Sequence, residues 1–198
     1  MGDGCSQQAR DDMSLRRSVP RMKVIVPADY YETREAVKAV AEIEGPVYVR
    51  IGRPKVPVLF GEDYRFELGK ALILRPGRDV TVLACGFMLH KALEAAEELA
   101  AEGLEAEIID LHTIKPLDRE VILASAARTR RVITCEEHSV LGGMGGAVAE
   151  LLGEEMPTPM RRIGMKDTFG TSGKAEELVE HFGLGSRHIA EVARTLCG

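Results

Sequence analysis

Residues 80–111 read VTVLACGFMLHKALEAAEELAAEGLEAEIIDL, and this stretch decides the fold. Val80 to Ala84 is a short, mostly apolar run of the kind that forms a strand buried on both faces. Leu89, Ala92, Leu93, Ala96 and Leu99 then recur at helical spacing, with Glu94, Glu97 and Glu98 on the opposite face. Gly103 ends this helix, and Glu105 to Leu111 is a second strand.

The same alternation continues in both directions. Upstream, Val24-Ile25-Val26 is a β-branched run closed by Pro27. Asp29 caps the next helix, and Glu32, three residues on, is the return half of a capping box. Ala36, Val37, Val40 and Ala41 give that helix one apolar stripe, Gly45-Pro46 ends it, and Val47 to Ile51 is the following strand. Strand, helix and strand in this order predict parallel pairing. Downstream, Asp118 or a neighbour starts a helix that runs to about Thr129, and Arg131 to Cys135 is a strand. A glycine-rich turn opens a helix through Leu152, Met160 to Ile163 is a short strand, and helices follow near 174–182 and 186–196.

Pro54, Pro57 and Gly61 interrupt regular structure, which places a linker at 54–67. The expected architecture is α/β, with a complete domain at 68–198. Residues 1–53 supply a leading helix and one strand–helix–strand unit, too little to bury both faces of a parallel sheet, so they read as the end of a larger domain.

Composition excludes several classes. The chain has 198 residues, 45% of them hydrophobic, which suits a packed core rather than a disordered chain. Its formal charge of −5 gives no global field for nucleic acid or an anionic membrane. The short cluster Arg128, Arg130 and Arg131 falls where a helix ends, and cations there offset the carbonyl end of the dipole. The longest apolar stretch, Val80 to Leu89, is shorter than the ~20 residues that span a bilayer, and the polar N-terminus carries no secretion signal. Met1-Gly2-Asp3-Gly4-Cys5-Ser6 fits a myristoylation pattern, which arises easily by chance and finds no other membrane feature to support it. Cys5, Cys85, Cys135 and Cys197 are scattered, which favours reduced thiols and a cytoplasmic location over a disulfide framework.

Four groups of residues carry possible chemistry. Leu141-Gly142-Gly143-Met144-Gly145-Gly146 opens a helix whose N–H groups could cradle an anion, although glycines there also allow close helix–sheet packing, the favoured reading. Glu136-Glu137-His138 lies at the carboxyl end of a strand and is expected in a hydrated loop or an intersubunit contact at least as readily as in catalysis. Cys135 with His138 makes no protease signature, and His112 reads as structural. Arg50 and Arg53 flank Gly52 at a strand end, where a guanidinium suits phosphate or carboxylate, or is an ordinary surface arginine.

Taken together, these segments resemble the transketolase family. Asp3-Gly4-Cys5-Ser6-Gln7-Gln8, the run Arg17 to Asp29, and Pro46 to Arg53 are similar to the late part of a pyrimidine-binding domain. Asp110 to Asp118, Glu136-Glu137-His138 with Gly142 to Gly145, and Lys166 to Lys174 resemble the family's C-terminal domain. The nearest likeness is to the C-terminal subunit of split transketolases, and the superfamily also holds 1-deoxyxylulose-5-phosphate synthases and 2-oxo acid dehydrogenase beta subunits.

The resemblance implies a three-layer C-terminal domain with a mainly parallel sheet, preceded by an incomplete thiamine-diphosphate pyrimidine-binding domain. It implies transfer of two-carbon ketol units between sugar phosphates with thiamine diphosphate and magnesium, in a homodimer or with an N-terminal half. Asp3 matches the aspartate that contacts substrate hydroxyls, and Arg53 matches the arginine that holds the sugar phosphate. Gln7 stands where transketolases usually carry a substrate-contacting histidine, so it can hydrogen-bond but not become cationic. Gly2-Asp3-Gly4 is similar to the family's metal–diphosphate motif, but that shell needs Asn donors and the chain contains no Asn. The cofactor-activating glutamate and its aromatic neighbour have no counterpart, so the chain alone is expected to hold no cofactor and to be inactive. Two expectations compete: a non-enzymatic assembly module, its uncovered sheet edges recruiting partners, or part of a 1-deoxyxylulose-5-phosphate synthase or 2-oxo acid dehydrogenase beta subunit.

Overall fold

The computed structural model describes residues 9–198. Its larger sheet has the order β3-β5-β4-β7-β8, from strands β3 (Leu72–Arg75), β4 (Val80–Ala84), β5 (Ala106–Asp110), β7 (Val132–Ser139) and β8 (Met160–Met165). Neighbours are parallel except for β3, which runs antiparallel along the edge beside β5. The period-two alternation of a strand explains how one sheet serves two cores. Val80, Val82 and Ala84 of β4 face α3 (Met88–Ala101) and α7 (Ser186–Cys197), while Leu83 joins Ile109 and Val132 under α4 (Arg119–Thr129) and α5 (Met144–Glu155). The result is three layers with a mainly parallel sheet, as expected.

Local chemistry sets the helix ends. Asp118 caps α4 by accepting from the Val121 N–H at 3.2 Å. Arg131 donates to the Leu196 carbonyl at 3.0 Å, so it serves the carbonyl end of α7 rather than its own helix. Arg128 pairs with Glu107, a carboxylate buried on β5. Strand β3 was not legible in the sequence: it is an edge strand with Ile73 half exposed, so it shows neither continuous burial nor strict alternation.

The smaller sheet joins the two halves of the chain. β1 (Lys23–Ile25) pairs in parallel with β2 (Val47–Val49) and antiparallel with β6 (Thr113–Lys115), a strand supplied from far along the sequence. Between β1 and β2, α2 (Tyr30–Ala41) carries the expected cap: the Glu32 N–H donates to Asp29 at 2.9 Å, and the Glu32 carboxylate returns to the Ala28 N–H at 2.6 Å. The stripe on α2 is a correction, because only Ala36 of the four apolar residues is buried and Val37 is 47% exposed. The remaining helices are α1 (Asp12–Ser18) and α6 (Ala175–His181). Residues 54–67 contain no helix or strand, yet they are fastened, since the Leu59 and Phe60 N–H groups donate to Asp29 at 2.8 and 2.9 Å.

One contact fixes how the sheets meet. The Val26 N–H donates to the His112 carbonyl at 2.7 Å, and the Gly86 N–H donates to the Val26 carbonyl at 3.1 Å. Gly86 has φ +54°, and a Cβ there would lie 2.8 Å from Val26 Cγ1. Gly86→Ala is therefore expected to cost about 2 kcal/mol, from left-handed backbone strain and overpacking together. In a Val26→Ala background the cost should shrink, since the clashing methyl is gone. Urea unfolding of the four variants checks this, and equal cost in both backgrounds would contradict it.

Candidate functional site

Glu136, Glu137 and His138 do not form a hydrated loop. They lie on β7, with Glu136 and His138 fully buried. The Glu136 carboxylate sits at the start of α5, where it accepts from the Met144 N–H at 2.6 Å and the Gly145 N–H at 2.8 Å. The glycine-rich turn thus does both things read from it: its N–H groups hold an anion, and that anion is the chain's own. A side chain on Gly143 would land on this carboxylate, and one on Gly145 would lie 2.6 Å from Thr134 Oγ1. Burial pushes the Glu136 carboxyl up to about 7, against the pull of the two N–H donors.

His138 is equally committed. Its Nδ1 lies 2.8 Å from the Ser139 carbonyl and its Nε2 accepts from the Met13 N–H at 3.2 Å, which assigns the proton to Nδ1. Burial lowers its proton affinity, so the ring stays neutral and both nitrogens are occupied. It anchors α1 to β7 and has no lone pair left to act as a base.

Arg50 completes this interface. It donates to Asp12 at 3.1 Å, to the Ala9 and Glu137 carbonyls at 3.0 Å each, and lies 3.5 Å from the Glu137 carboxylate. Burial raises the Asp12 carboxyl, but the Tyr48 hydroxyl at 2.6 Å and the Arg50 guanidinium outweigh it and hold the group below its usual range. The oxyanion grip read for Arg50 is therefore internal. It ties the end of β2 and α1 to β7.

A second acidic cluster escaped the sequence. Glu32 and Asp110 are fully buried, Asp29 and Tyr64 nearly so. The Tyr64 hydroxyl donates to Glu32 at 2.6 Å, while no donor outside this carboxyl pair reaches Asp110, whose protonated form can bond Glu32. A buried carboxyl with no donor favours its protonated form. Burial raises Asp110 well above its usual range, with Glu32 and Asp29 adding repulsion, and burial likewise raises Glu32. Glu32 was visible as a capping residue, but its meeting with the end of β5 needs the tertiary fold.

Arg53 is different in placement. It lies exposed just beyond β2, next to Gly52, where an added Cβ would meet nothing within 4 Å. Gly52 and Pro54 border a cavity of about 340 Å³ whose wall includes Asp29, Tyr30, Val58 and Phe87. Asp3, Gln7, Cys5 and the Gly2-Asp3-Gly4 motif lie outside the described residues. Burial lowers His112 to about 4; it stacks 4.7 Å from Phe66 and bonds Thr113 at 2.9 Å, a structural role. Cys85 and Cys135 are free buried thiols and Cys197 is free and partly buried. Among the described residues no three His, Cys, Asp or Glu side chains gather closely enough to hold a metal ion. No described helix is long and apolar enough to cross a membrane.

These features define a two-sheet α/β protein, and comparison with known proteins gives its class. The model of the transketolase C-terminal domain matches residues 69–189, and that of the transketolase pyrimidine-binding domain matches residues 1–58. The chain belongs to the transketolase family. It is 44% identical over 191 residues to the 6-deoxy-6-sulfo-D-fructose transketolase subunit SqwH of Clostridium sp. (strain MSTE9), covering 96% of this chain and 59% of that one. It is 38% identical over 191 residues to one of the apulose-4-phosphate transketolase subunits of Phocaeicola vulgatus, covering 96% and 61%. A solved split gene transketolase, described as an inactive beta4 tetramer, superposes with a TM-score of 0.94 at 48% identity, covering 98% of this chain and 64% of that one. The chain thus spans about three fifths of the length of the relatives it matches.

Two variants test the buried carboxyls. Glu136→Gln puts an amide NH₂ against a backbone N–H at the start of α5 and should cost about 1–3 kcal/mol, read by urea unfolding. Asp110→Asn should act in the opposite direction. A carboxyl raised by folding contributes fully below its unfolded value near pH 4, and that contribution is lost as pH rises through the raised folded value. The amide cannot ionise, so Asp110→Asn should gain stability over the parent at pH 8 and little at pH 4.5. Unfolding midpoints at the two pH values check this; a pH-independent difference would contradict it.

Proposed function

We propose that this chain is the C-terminal portion of a thiamine-diphosphate-dependent transketolase that moves two-carbon ketol units between sugars ending in a strong-acid anion, sugar phosphates first among them. The observation that carries the reading is the match of both family domains in order along the chain, with Arg53 standing between Gly52 and Pro54, two residues that border an open cavity. The two named relatives support it, because one acts on a 6-sulfo sugar and the other on a 4-phosphate. A planar guanidinium bonds two oxygens of either group at once, which a lysine does less specifically. Arg53 binds the terminal anion, Asp3 accepts from substrate hydroxyls, and Gln7 contributes neutral hydrogen bonds. Thiamine diphosphate and magnesium belong to the complete cytoplasmic enzyme and are held by residues other than those described here.

The active unit on this reading includes an N-terminal transketolase half, within a homodimer. A second reading, an assembly module without activity, draws support from the similar tetramer described as inactive.

Supplied with thiamine diphosphate, magnesium, xylulose 5-phosphate and ribose 5-phosphate, the isolated chain should show no turnover; turnover would overturn the need for a partner. The decisive test exchanges this chain for the matching segment of the Clostridium protein and reconstitutes the chimera with the rest of that enzyme. Ketol transfer should be retained, and Arg53→Gln should raise KM for the anionic sugar by about tenfold or more while changing kcat less. A chimera that assembles yet stays inactive would favour the assembly module, and an unchanged KM would remove Arg53 from the site.

A further inference from the structure

We propose that the buried carboxyls of Glu32 and Asp110 form a latch closed by one shared proton, and that alkaline pH opens it and frees the segment 54–67 from α2. Three parts of the chain meet at this contact. Glu32 lies in the first turn of α2, Asp110 is the last residue of β5, and Tyr64 belongs to the segment that links β2 to β3. Glu32 accepts from the Tyr64 hydroxyl with one oxygen and from the Ala28 N–H with the other, both at 2.6 Å. Asp29 accepts from the Glu32 N–H with one oxygen and from the Leu59 and Phe60 N–H groups with the other. Every donor at the cluster is thus spent on Glu32 or Asp29, and Asp110 meets Glu32 with nothing to offer except a proton of its own. With that proton the two carboxyls are a hydrogen bond. Without it they are two buried anions beside a third.

The surroundings supply no countercharge. The charged groups acting on Asp110 are Glu32 and Asp29, both from α2 and its cap. From the segment the pair faces Tyr64, and from the end of β4 it faces Cys85; burial raises both of these, so neither ionises in place of the carboxyls. Arg50 acts on Cys85 but is committed to Asp12 and Glu137. His112, two residues beyond Asp110, stacks on Phe66 and bonds Thr113, and burial keeps it neutral. The flanking strands place Leu72 and Ala84 beside Asp110. Burial raises both carboxyls, so the pair keeps its proton to higher pH than exposed carboxyls do. Once the proton is lost, Asp110 cannot withdraw, because β5 is paired on both sides. Glu32 is the side chain that yields, and it yields by releasing Tyr64. The Tyr64 ring lies 4.5 Å from that of Phe60, whose N–H is one of the two held by Asp29, so the release passes along the segment.

The latch works whether or not the chain takes part in ketol transfer, and the chain alone suffices to test it. Trypsin reads the open state, because Arg65 is an exposed residue next to Tyr64. The parent and Asp110→Asn are digested side by side at pH 6.5 and pH 9, which cancels the pH dependence of the protease. The Asn amide donates to Glu32 at every pH, so the variant stays latched. At pH 6.5 the two chains should be cut after Arg65 at the same rate. At pH 9 the parent should be cut there about tenfold or more faster than the variant, with Lys91 of α3 intact in both. A second measurement needs no variant: in the ¹³C,¹⁵N-labelled parent, the Glu32 and Asp110 carboxyl signals should move in the same pH step as the Leu59 and Phe60 amides. Equal pH dependence in parent and variant, cutting at Lys91 as fast as at Arg65, or carboxyl signals that move while those two amides stay fixed would overturn the proposal.

Discussion

Everything else in this molecule depends on where Val26 lies. In an open α/β sheet, neighbouring strands whose helices leave toward opposite faces create a crevice at their carboxyl ends, and ligands bind there. Here α3 leaves β4 on one side of the sheet while α4 and α5 cover the other. The crevice so formed is filled by the protein itself. The Val26 backbone bonds to Gly86 beyond β4 and to His112 beyond β5, and Arg50 closes the β7 side. Gly86 alone allows that approach, since any Cβ would strike Val26.

With the crevice occupied, the polar groups around it serve cohesion. The α5 N-terminus meets Glu136, Arg50 meets Asp12 and Glu137, and His138 spends both nitrogens on the backbone. Each pairing removes a group that, seen alone, suggests catalysis or anion binding. A buried charge without its partner costs several times what an exposed one does, so these groups are tightly specified by the fold they hold together. Arg53, beyond β2, lies at the exposed rim of the molecule.

The elements with strong periodicity were legible in the sequence, and those defined by a neighbour were not. The strand–helix–strand run 80–111 and the Asp29–Glu32 capping box carry their own signals, a 3.6-residue stripe in one and a side-chain–backbone pair in the other. β6 is three residues long and exists only because β1 lies beside it. Glu136 suggests a hydrated loop in the sequence because spacing does not show that the N-terminus of α5 lies within bonding distance. The apolar stripe of α2 suggests a buried face, but Val37 is left 47% exposed. Arg50 and Arg53 are close neighbours in sequence, but Arg50 is drawn into the contact with Glu137 of β7 while Arg53 is exposed, a difference that spacing does not show.

If the filled crevice is what unites the molecule, residues 23–26 and 80–84 should open together. Native-state hydrogen exchange tests this most directly, by comparing the Val26 and Gly86 amides with Val82 in the centre of β4. The account predicts that all three exchange only through global unfolding, with the same free energy and the same denaturant dependence. Fast exchange at Val26 and Gly86 beside a still-protected Val82 would show that the crevice opens independently, and would contradict it.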